Sequence, residues 1–281
     1  MTTTNIHATY KIGGEVEINR LGYGSMQLTG PGVYGEVNDR NNAINVLRAA
    51  VDAGVNFIDT AEAYGPQFNE SLIADALYPY KKGLVIATKG GFGRPGPGQW
   101  VPNGDPAFIR KNIEGSLKRL KLETIDLWQL HRVDPQFPVE KTLAPVVEAV
   151  QAGKIKYVGL SEVSIEQVEQ IEKILPIVSV QNLYNLGDRK WEGLVDFTNE
   201  RGMAFIPWYP LASGPDSLAG KISGIAANHN ATVSQIAIAW LLKRSPNILV
   251  IPGTSSLAHL SENMDGDSIV LTDEEFEQLS K

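Results

Sequence analysis

LVIATKGGFGRPGPGQWVPNGDPAFIRKNIEGSLKRLKLETIDLWQLHRVDPQFPVEKTLAPVVEAVQAGKIKYVGLS, residues 84–161, decides the fold. Three short apolar runs, Leu84–Lys89, Ile125–Leu130 and Lys156–Ser161, read as strands. Between them lie two segments with helical spacing: Pro106–Leu120, with proline near its start, and Thr142–Ala152, closed by Gly153. Strands separated by single helices pair in parallel, and parallel sheets are covered on both faces.

The same alternation continues outward. Towards the N-terminus, Thr9–Glu17 reads as a hairpin turning at Gly13-Gly14, followed by a short strand at Leu21–Gly24. Arg40–Ala53 is helical, with Ala43, Val46, Leu47, Ala50 and Val51 on one face and Gly54 as its stop. Phe57–Asp59 is a strand and Glu70–Leu77 a helix. Towards the C-terminus, Ile165–Ile174 is a helix that halts before Pro176. Strands are expected at Val178–Asn182, Ala204–Ile206 and Ile248–Ile251, with helices at Lys190–Glu200, Val233–Lys243, Leu257–Met264 and Asp273–Leu279. About eight strand-then-helix units favour an α/β chain folded as a single (β/α)8 TIM barrel with an N-terminal β-hairpin, one domain over residues 1–281. A doubly wound dinucleotide fold fits less well. Gly22-Tyr-Gly24 runs on into Ser-Met-Gln, without the glycine that would open a phosphate-binding helix.

Composition narrows the function. A net charge of -7 argues against tracking nucleic-acid phosphates or anionic lipid. With no cysteine, disulfides and thiolate metal sites are excluded, and the four histidines do not sit at metal-ligand spacing with a carboxylate, so no metal is expected. The polar first ten residues and the lack of a long apolar run lead to a default expectation of a cytoplasmic protein that neither crosses nor binds membranes. The oligomeric state is not readable.

Barrel chemistry collects at the C-terminal ends of the strands. Asp59, Lys89 and His131 fall at the ends of the second, third and fourth strands, and Tyr64 lies in the loop after Asp59. Reduction of a carbonyl needs a proton donor, and a phenol is a weak acid at an ordinary pKa of about 10. A nearby buried ammonium would lower that value, and a carboxylate would keep the ammonium charged. Tyr64, Lys89 and Asp59 can fill those parts, with His131 donating to the carbonyl oxygen. Asp59 and Lys89 read equally well as a structural ion pair, and Tyr64 as a packed aromatic. A Schiff-base role for Lys89 would need a neutral amine, which an adjacent carboxylate opposes. The long loop Gly90–Asp105, rich in glycine and proline, should overhang this face.

Seven segments give the chain a resemblance to the aldo-keto reductase superfamily. They are FIDTAEAYG (Phe57–Gly65), LVIATKGG (Leu84–Gly91), IDLWQLHRVD (Ile125–Asp134), YVGLSEVS (Tyr157–Ser164), VSVQNLYN (Val178–Asn185), IPWYPLA (Ile206–Ala212) and IPGTSSLAHLSENM (Ile251–Met264). RLGYGSMQLTGPGVYG (Arg20–Gly35) looks like a bacterial branch that includes pyridoxal reductases. The resemblance implies reduction of an aldehyde or ketone by direct hydride transfer from NADPH, with NADH as the alternative and pyridoxal as a candidate substrate. It implies Asp59, Tyr64, Lys89 and His131 as the catalytic four, Tyr64 being the general acid. Ser161 and Gln181 would hold the nicotinamide carboxamide and Trp208 would stack on the ring. Gly24, Ser25, Met26 and Asp59 would border the cofactor, and Tyr209, Pro210, Leu211 and Ala212 would cradle its pyrophosphate. Gly253, Thr254, Ser255, His259, Glu262 and Asn263 would take the adenosine end. Met26, Tyr64, Trp100 and His131 would line the substrate pocket, and Ser255 doubles as a candidate helix cap.

One departure from the pattern concerns Glu162, where relatives of this kind carry asparagine. A carboxylate can accept from the carboxamide nitrogen but cannot donate to its oxygen, so Glu162 either weakens nicotinamide binding or points elsewhere as a charge at a strand end; on the first reading Glu162→Asn is expected to tighten cofactor binding. The scaffold also hosts cofactor-binding regulatory subunits resembling potassium-channel β subunits, which is the alternative reading.

Overall fold

The computed structural model describes residues 8–211 and 216–281; Ala212, expected at the pyrophosphate, lies outside them. Strands β1 (Thr9–Ile12) and β2 (Val16–Asn19) form the antiparallel hairpin, turning through Gly13 and Gly14 at φ of 59° and 77°. The chain continues through β3 (Tyr23–Gly24), α1 (Arg40–Asp52), β4 (Phe57–Asp59), α2 (Phe68–Leu77) and β5 (Val85–Gly90). Next come the short pair β6 (Phe92–Gly93) and β7 (Val101–Pro102), then α3 (Pro106–Leu120), β8 (Ile125–Leu130), α4 (Val139–Gln151) and β9 (Ile155–Ser161). The remainder is α5 (Ile165–Glu172), β10 (Ser179–Gln181), α6 (Glu192–Glu200), β11 (Ala204–Phe205), α7 (Asp216–Asn228), α8 (Val233–Arg244), α9 (Leu257–Met264) and α10 (Asp273–Ser280). Among the described residues no helix is long and apolar enough to cross a membrane.

Seven parallel strands run β11-β10-β9-β8-β5-β4-β3. The eighth position, expected at Ile248–Ile251, is not a regular strand but a seam of single bridges. Ile248 pairs in parallel with Phe205 on one side, and Val250 with Leu21 on the other. Backbone bonds from Leu249 N to Phe205 O (2.9 Å), Gly22 N to Val250 O (2.8 Å) and Val250 N to Arg20 O (2.8 Å) carry the ladder across both joins, so the barrel is closed. Closure satisfies the polar groups that an open sheet would leave on its edges.

Two cores follow from this. The large one lies between the sheet and the helices and includes Trp128, Leu143, Leu160, Phe205, Ile236 and Trp240. The smaller fills the barrel with Phe57, Val85, Ala87, Leu127, Ala204, Ile206, Leu249 and Ile251, and Ile12 and Ile18 of the hairpin plug it. At Gly13 a Cβ would fall 2.3 Å from the Tyr157 ring, so glycine lets the hairpin tip seat against β9.

Further details differ from the sequence expectation. Helix α2 starts at Phe68 rather than Glu70, after Gln67 takes a left-handed φ of 69°. Helix α6 starts at Glu192 rather than Lys190, because the Asn185 side chain accepts from the amides of Gly187 and Asp188 and holds a turn there. Helix α7 went unread, since Gly220 and Gly224 interrupt its pattern, although Ile222, Ile225 and Ala226 bury a face. The long loop after β5 contains the β6–β7 pair.

Candidate active site

Sheet register brings the polar side chains together. Asp59 ends β4 opposite Ala87 of β5, Lys89 lies opposite Gln129 of β8, and His131 follows β8 with its amide bonded to Gly90 O at 2.8 Å. The chain after Asp59 stays on β5 through Thr60 N to Ala87 O (2.8 Å) and Glu62 N to Lys89 O (3.0 Å). A tight turn from Tyr64 N to Ala61 O (3.1 Å) then sends Tyr64 back over the barrel mouth.

Lys89 has no exposed surface, and its ammonium reaches Asp59 Oδ2 at 2.6 Å, the Thr60 carbonyl at 2.9 Å and the Tyr64 hydroxyl at 3.2 Å. An ammonium has three donors, and all three are used. The other carboxylate oxygen, Asp59 Oδ1, accepts from Gln181 Nε2 at 2.9 Å and Gln129 Nε2 at 3.3 Å. A buried charge persists only when paired and hydrogen-bonded on every side, and this one is.

The electrostatics correct one expectation. Burial pushes the Tyr64 phenol above its ordinary value; Lys89 pulls it down, Asp59 pushes it up, and the net shift is upward. The phenol is therefore not acidified at rest. It rests protonated, with the Lys89 ammonium donating to its oxygen. Burial works against the Lys89 ammonium, but Asp59 and Tyr64 outweigh it and the pKa rises. That opposes a Schiff-base role, which needs the free amine. His131 is pushed well below its ordinary value by burial and then by the cations of Lys89, Arg132 and Arg94, so its imidazole is neutral near pH 7. Its Nδ1 is buried without a hydrogen-bond partner among the described residues.

A cleft of about 580 Å³ opens above these groups. Tyr64, Phe92, Trp100 and His131 form one aromatic wall. Ring centroids are 4.5 Å apart for Phe92 and His131, 5.9 Å for Tyr64 and His131, and 6.3 Å for Tyr64 and Trp100, all edge to face. Met26 and Trp100, expected at the substrate, both line it. So do Gly24, Asp59, Ser161, Gln181, Trp208, Tyr209, Pro210, Leu211 and Gly253 from the expected cofactor set. Gly24 and Gly253 meet closely: a Cβ on either would stand 2.7 Å from a carbonyl oxygen, of Ile251 or of Gly24, so their lack of side chains keeps this edge of the cleft narrow and backbone-lined.

Other expected residues sit differently. Ser25 is fully buried, its hydroxyl 2.8 Å from the Asp59 carbonyl, so its side chain is turned away from the cleft. Thr254 is engaged locally, its Oγ1 accepting from Ser256 N at 3.0 Å. The cap of α9 is Ser256, which accepts from His259 N, and not Ser255, whose carbonyl accepts from Asn42 Nδ2 at 2.7 Å. His259 is exposed, Glu262 half-buried and Asn263 buried along α9, outside the cleft itself.

Glu162 points elsewhere. It holds a left-handed φ of 55°, and its Oε1 accepts from Leu183 N at 2.6 Å and Trp208 Nε1 at 2.7 Å. The carboxylate is a bracket for the Trp208 indole and does not line the cleft. An asparagine would suit the backbone angle but is one carbon shorter, so Glu162→Asn removes a tie on Trp208; the expected gain in cofactor affinity does not follow.

Several cleft residues escaped the sequence reading. Phe92 lies in the long loop and Arg132 follows His131; Arg94, also in that loop, stacks on Trp100 without lining the cleft. Gln129 was detectable in principle, being two residues before His131 on an inward-pointing period of two.

The aldo/keto reductase family model matches residues 20–281. The chain belongs to the aldo/keto reductase family. This aldo-keto reductase is 45% identical over 269 residues to an uncharacterized oxidoreductase of Schizosaccharomyces pombe, covering 95% of this chain and 88% of that protein. It is 43% identical over 267 residues to the pyridoxine 4-dehydrogenase of Escherichia coli, covering 93% of each. An aldo-keto reductase from Klebsiella pneumoniae, solved with NADPH, superposes with a TM-score of 0.82 at 26% identity, covering 98% of this chain and 94% of that one.

Proposed function

We propose that this aldo-keto reductase is an NADPH-dependent oxidoreductase that reduces an aldehyde to an alcohol, with Tyr64 as proton donor and pyridoxal as a candidate substrate. The observation that carries the reading is the unbroken contact from the Tyr64 hydroxyl through Lys89 Nζ to Asp59 Oδ2 at the floor of an aromatic cleft. The relative named for pyridoxine and the family member solved with NADPH support the substrate and cofactor.

The residues present fit such a cofactor: a polar floor at Ser161 and Gln181, a half-buried indole at Trp208, and a narrow backbone edge at Gly24 and Gly253. When bound, the nicotinamide supplies the hydride. Ser161 Oγ accepts from Arg132 Nη1 at 3.0 Å, which leaves its own proton to donate to the carboxamide oxygen. The Gln181 amide nitrogen is fixed by Asp59 and its oxygen is left to accept from the carboxamide nitrogen. Trp208, held by Glu162, would cover the ring. The turn through Ser255 and Ser256 and the start of α9 offer hydroxyls and amides to the adenosine-end phosphate.

For the substrate, the neutral His131 ring donates one N–H to the carbonyl oxygen and polarises it. Tyr64 gives its phenolic proton to that oxygen as negative charge builds there. The resulting phenolate is stabilised by Lys89 Nζ, which already donates to the phenol oxygen, and Asp59 balances the ammonium throughout. Every group is buried, so these charges interact without the screening of bulk water. The reading as a purely regulatory cofactor-binding subunit leaves this relay without a use.

Tyr64→Phe tests the assignment. Loss of a positioned general acid costs on the order of 10²- to 10⁴-fold. Aldehyde reduction, followed by NADPH absorbance, should fall by that order while the NADPH dissociation constant holds. Near-parental turnover in Tyr64→Phe would remove Tyr64 from the role.

A further inference from the structure

We infer that Arg132 is a specificity residue that pairs with an ionised oxygen on the substrate, beside the carbon bearing the reacting carbonyl, so that the preferred class is oxyanion-bearing aromatic aldehydes. The inference rests on the carbonyl-reduction reading above.

Arg132 lines the cleft immediately after His131 in the chain. Its Nη1 donates to the His131 carbonyl at 2.6 Å and to Ser161 Oγ at 3.0 Å, and its guanidinium carbon lies 5.2 Å from the Phe92 ring centroid. Those bonds fix the plane of the group. Nε and Nη2 make no hydrogen bond to the described residues, and no carboxylate among them stands within ion-pair distance. Glu162 is the acidic group whose field reaches Arg132, and its Oε1 is committed to Leu183 and Trp208. A guanidinium always carries its charge and has five N–H donors, so with two used three remain on a cleft-lining cation that has no direct counter-ion among the described residues.

A second arginine packs on Trp100 of the aromatic wall without itself lining the cleft. Arg94 donates to the carbonyls of Gln99 (2.8 Å), Ala63 (2.7 Å) and Gly32 (2.9 Å), stacks on Trp100 at 3.6 Å and has no acidic partner among the described residues. The third cation, Lys89, is matched by Asp59. A chain of net charge -7 thus keeps the Arg132 cation in this cleft without a direct ion pair, with the Arg94 charge near enough to act on His131, and such a field attracts anions. The edge-to-face set of Phe92, Trp100, Tyr64 and His131 fits a flat ring. Arg132 lines the same cleft and its charge acts on the Tyr64 hydroxyl, so with the carbonyl oxygen against Tyr64 and His131 a substituent on the adjacent ring carbon is assigned to Arg132. The chemistry selected is an aromatic ring with a phenolate next to the aldehyde.

The test uses the full chain with NADPH and two aldehydes: 3-hydroxypyridine-4-carbaldehyde, which carries the oxyanion, and pyridine-4-carbaldehyde, which does not. A charge-assisted hydrogen bond corresponds to roughly tenfold or more. The parent should favour the hydroxy-aldehyde by about that factor in kcat/KM. Arg132→Gln should cost the hydroxy-aldehyde about tenfold more in kcat/KM than the plain aldehyde, mainly through KM, on top of any loss both share through Ser161, and Arg132→Lys should recover part of the difference. An equal loss on both aldehydes in Arg132→Gln would make Arg132 a support for Ser161 and overturn the inference. A parent that reduces the plain aldehyde without any preference overturns it too, and needs no variant to fold. A parent that binds NADPH but reduces neither aldehyde defeats carbonyl reduction itself, and this inference with it.

Discussion

His131 is the residue whose chemistry depends most on its neighbours. Burial and three nearby cations disfavour its imidazolium, so it stays neutral where an exposed histidine titrates. The unfolded chain binds that proton near an ordinary pKa of about 6.5, and the folded chain binds it only at much lower pH. The unfolded state thus carries the extra proton in the window between, and the stability contributed by neutral His131 is complete above that pH and lost as pH falls below it. One unit below, the loss reaches at most about 1.4 kcal/mol. Denaturant melts at about pH 7 and pH 5.5 should show a smaller pH difference in His131→Gln than in the parent. Equal differences would mean the imidazole is not held neutral. The rise in the Tyr64 pKa has a matching consequence, because it keeps the phenol loaded across the neutral range.

At the scale of elements, the β6–β7 segment is moored by one side chain. Arg94 bonds carbonyls in three loops, after β3, after β4 and within its own loop, and lies flat on Trp100. Arg94→Ala should free the aromatic wall rather than unfold the barrel. We expect KM for an aromatic aldehyde to rise about tenfold with a smaller change in kcat, in keeping with the loss of one or two charge-assisted bonds. Amide exchange across residues 92–102 should quicken in parallel; unchanged exchange would show that the segment is held elsewhere. Legibility divides along the same line. Strands β4, β5 and β8 are mostly buried and end in or beside Asp59, Lys89 and His131, so the barrel and the meeting of those side chains at its mouth were readable from strand ends, with Tyr64 in the loop after β4. Arg94 and Arg132 were not, because an arginine in a polar loop looks like surface charge until its neighbours are known. Glu162 stayed open between two readings for a related reason: sequence gives the residue type, and its partner Trp208 lies 46 residues away. Helix α7 was hidden by two glycines whose cost is offset by tertiary burial.

For the molecule as a whole, the barrel has a wet end and a dry end. The hairpin closes the dry end with Ile12 and Ile18, both essentially without exposed surface, against Phe57, Leu127 and Ala204. Ile18→Ala should lower unfolding free energy by about 2–5 kcal/mol, as truncations in a packed core do, without changing substrate KM. A denaturant melt and a rate assay check both halves; an unaltered midpoint would show that the plug contributes little. The seam at Ile248–Val250 carries a further implication, for the order of synthesis. Until residue 251 leaves the ribosome, the exposed borders of β3 and β11 have no mate, and a nascent chain with most of its helices made still presents two sticky margins. Premature release of such a chain invites strand exchange between copies, so the last few dozen residues act as the zip that turns an aggregation-prone intermediate into a sealed ring.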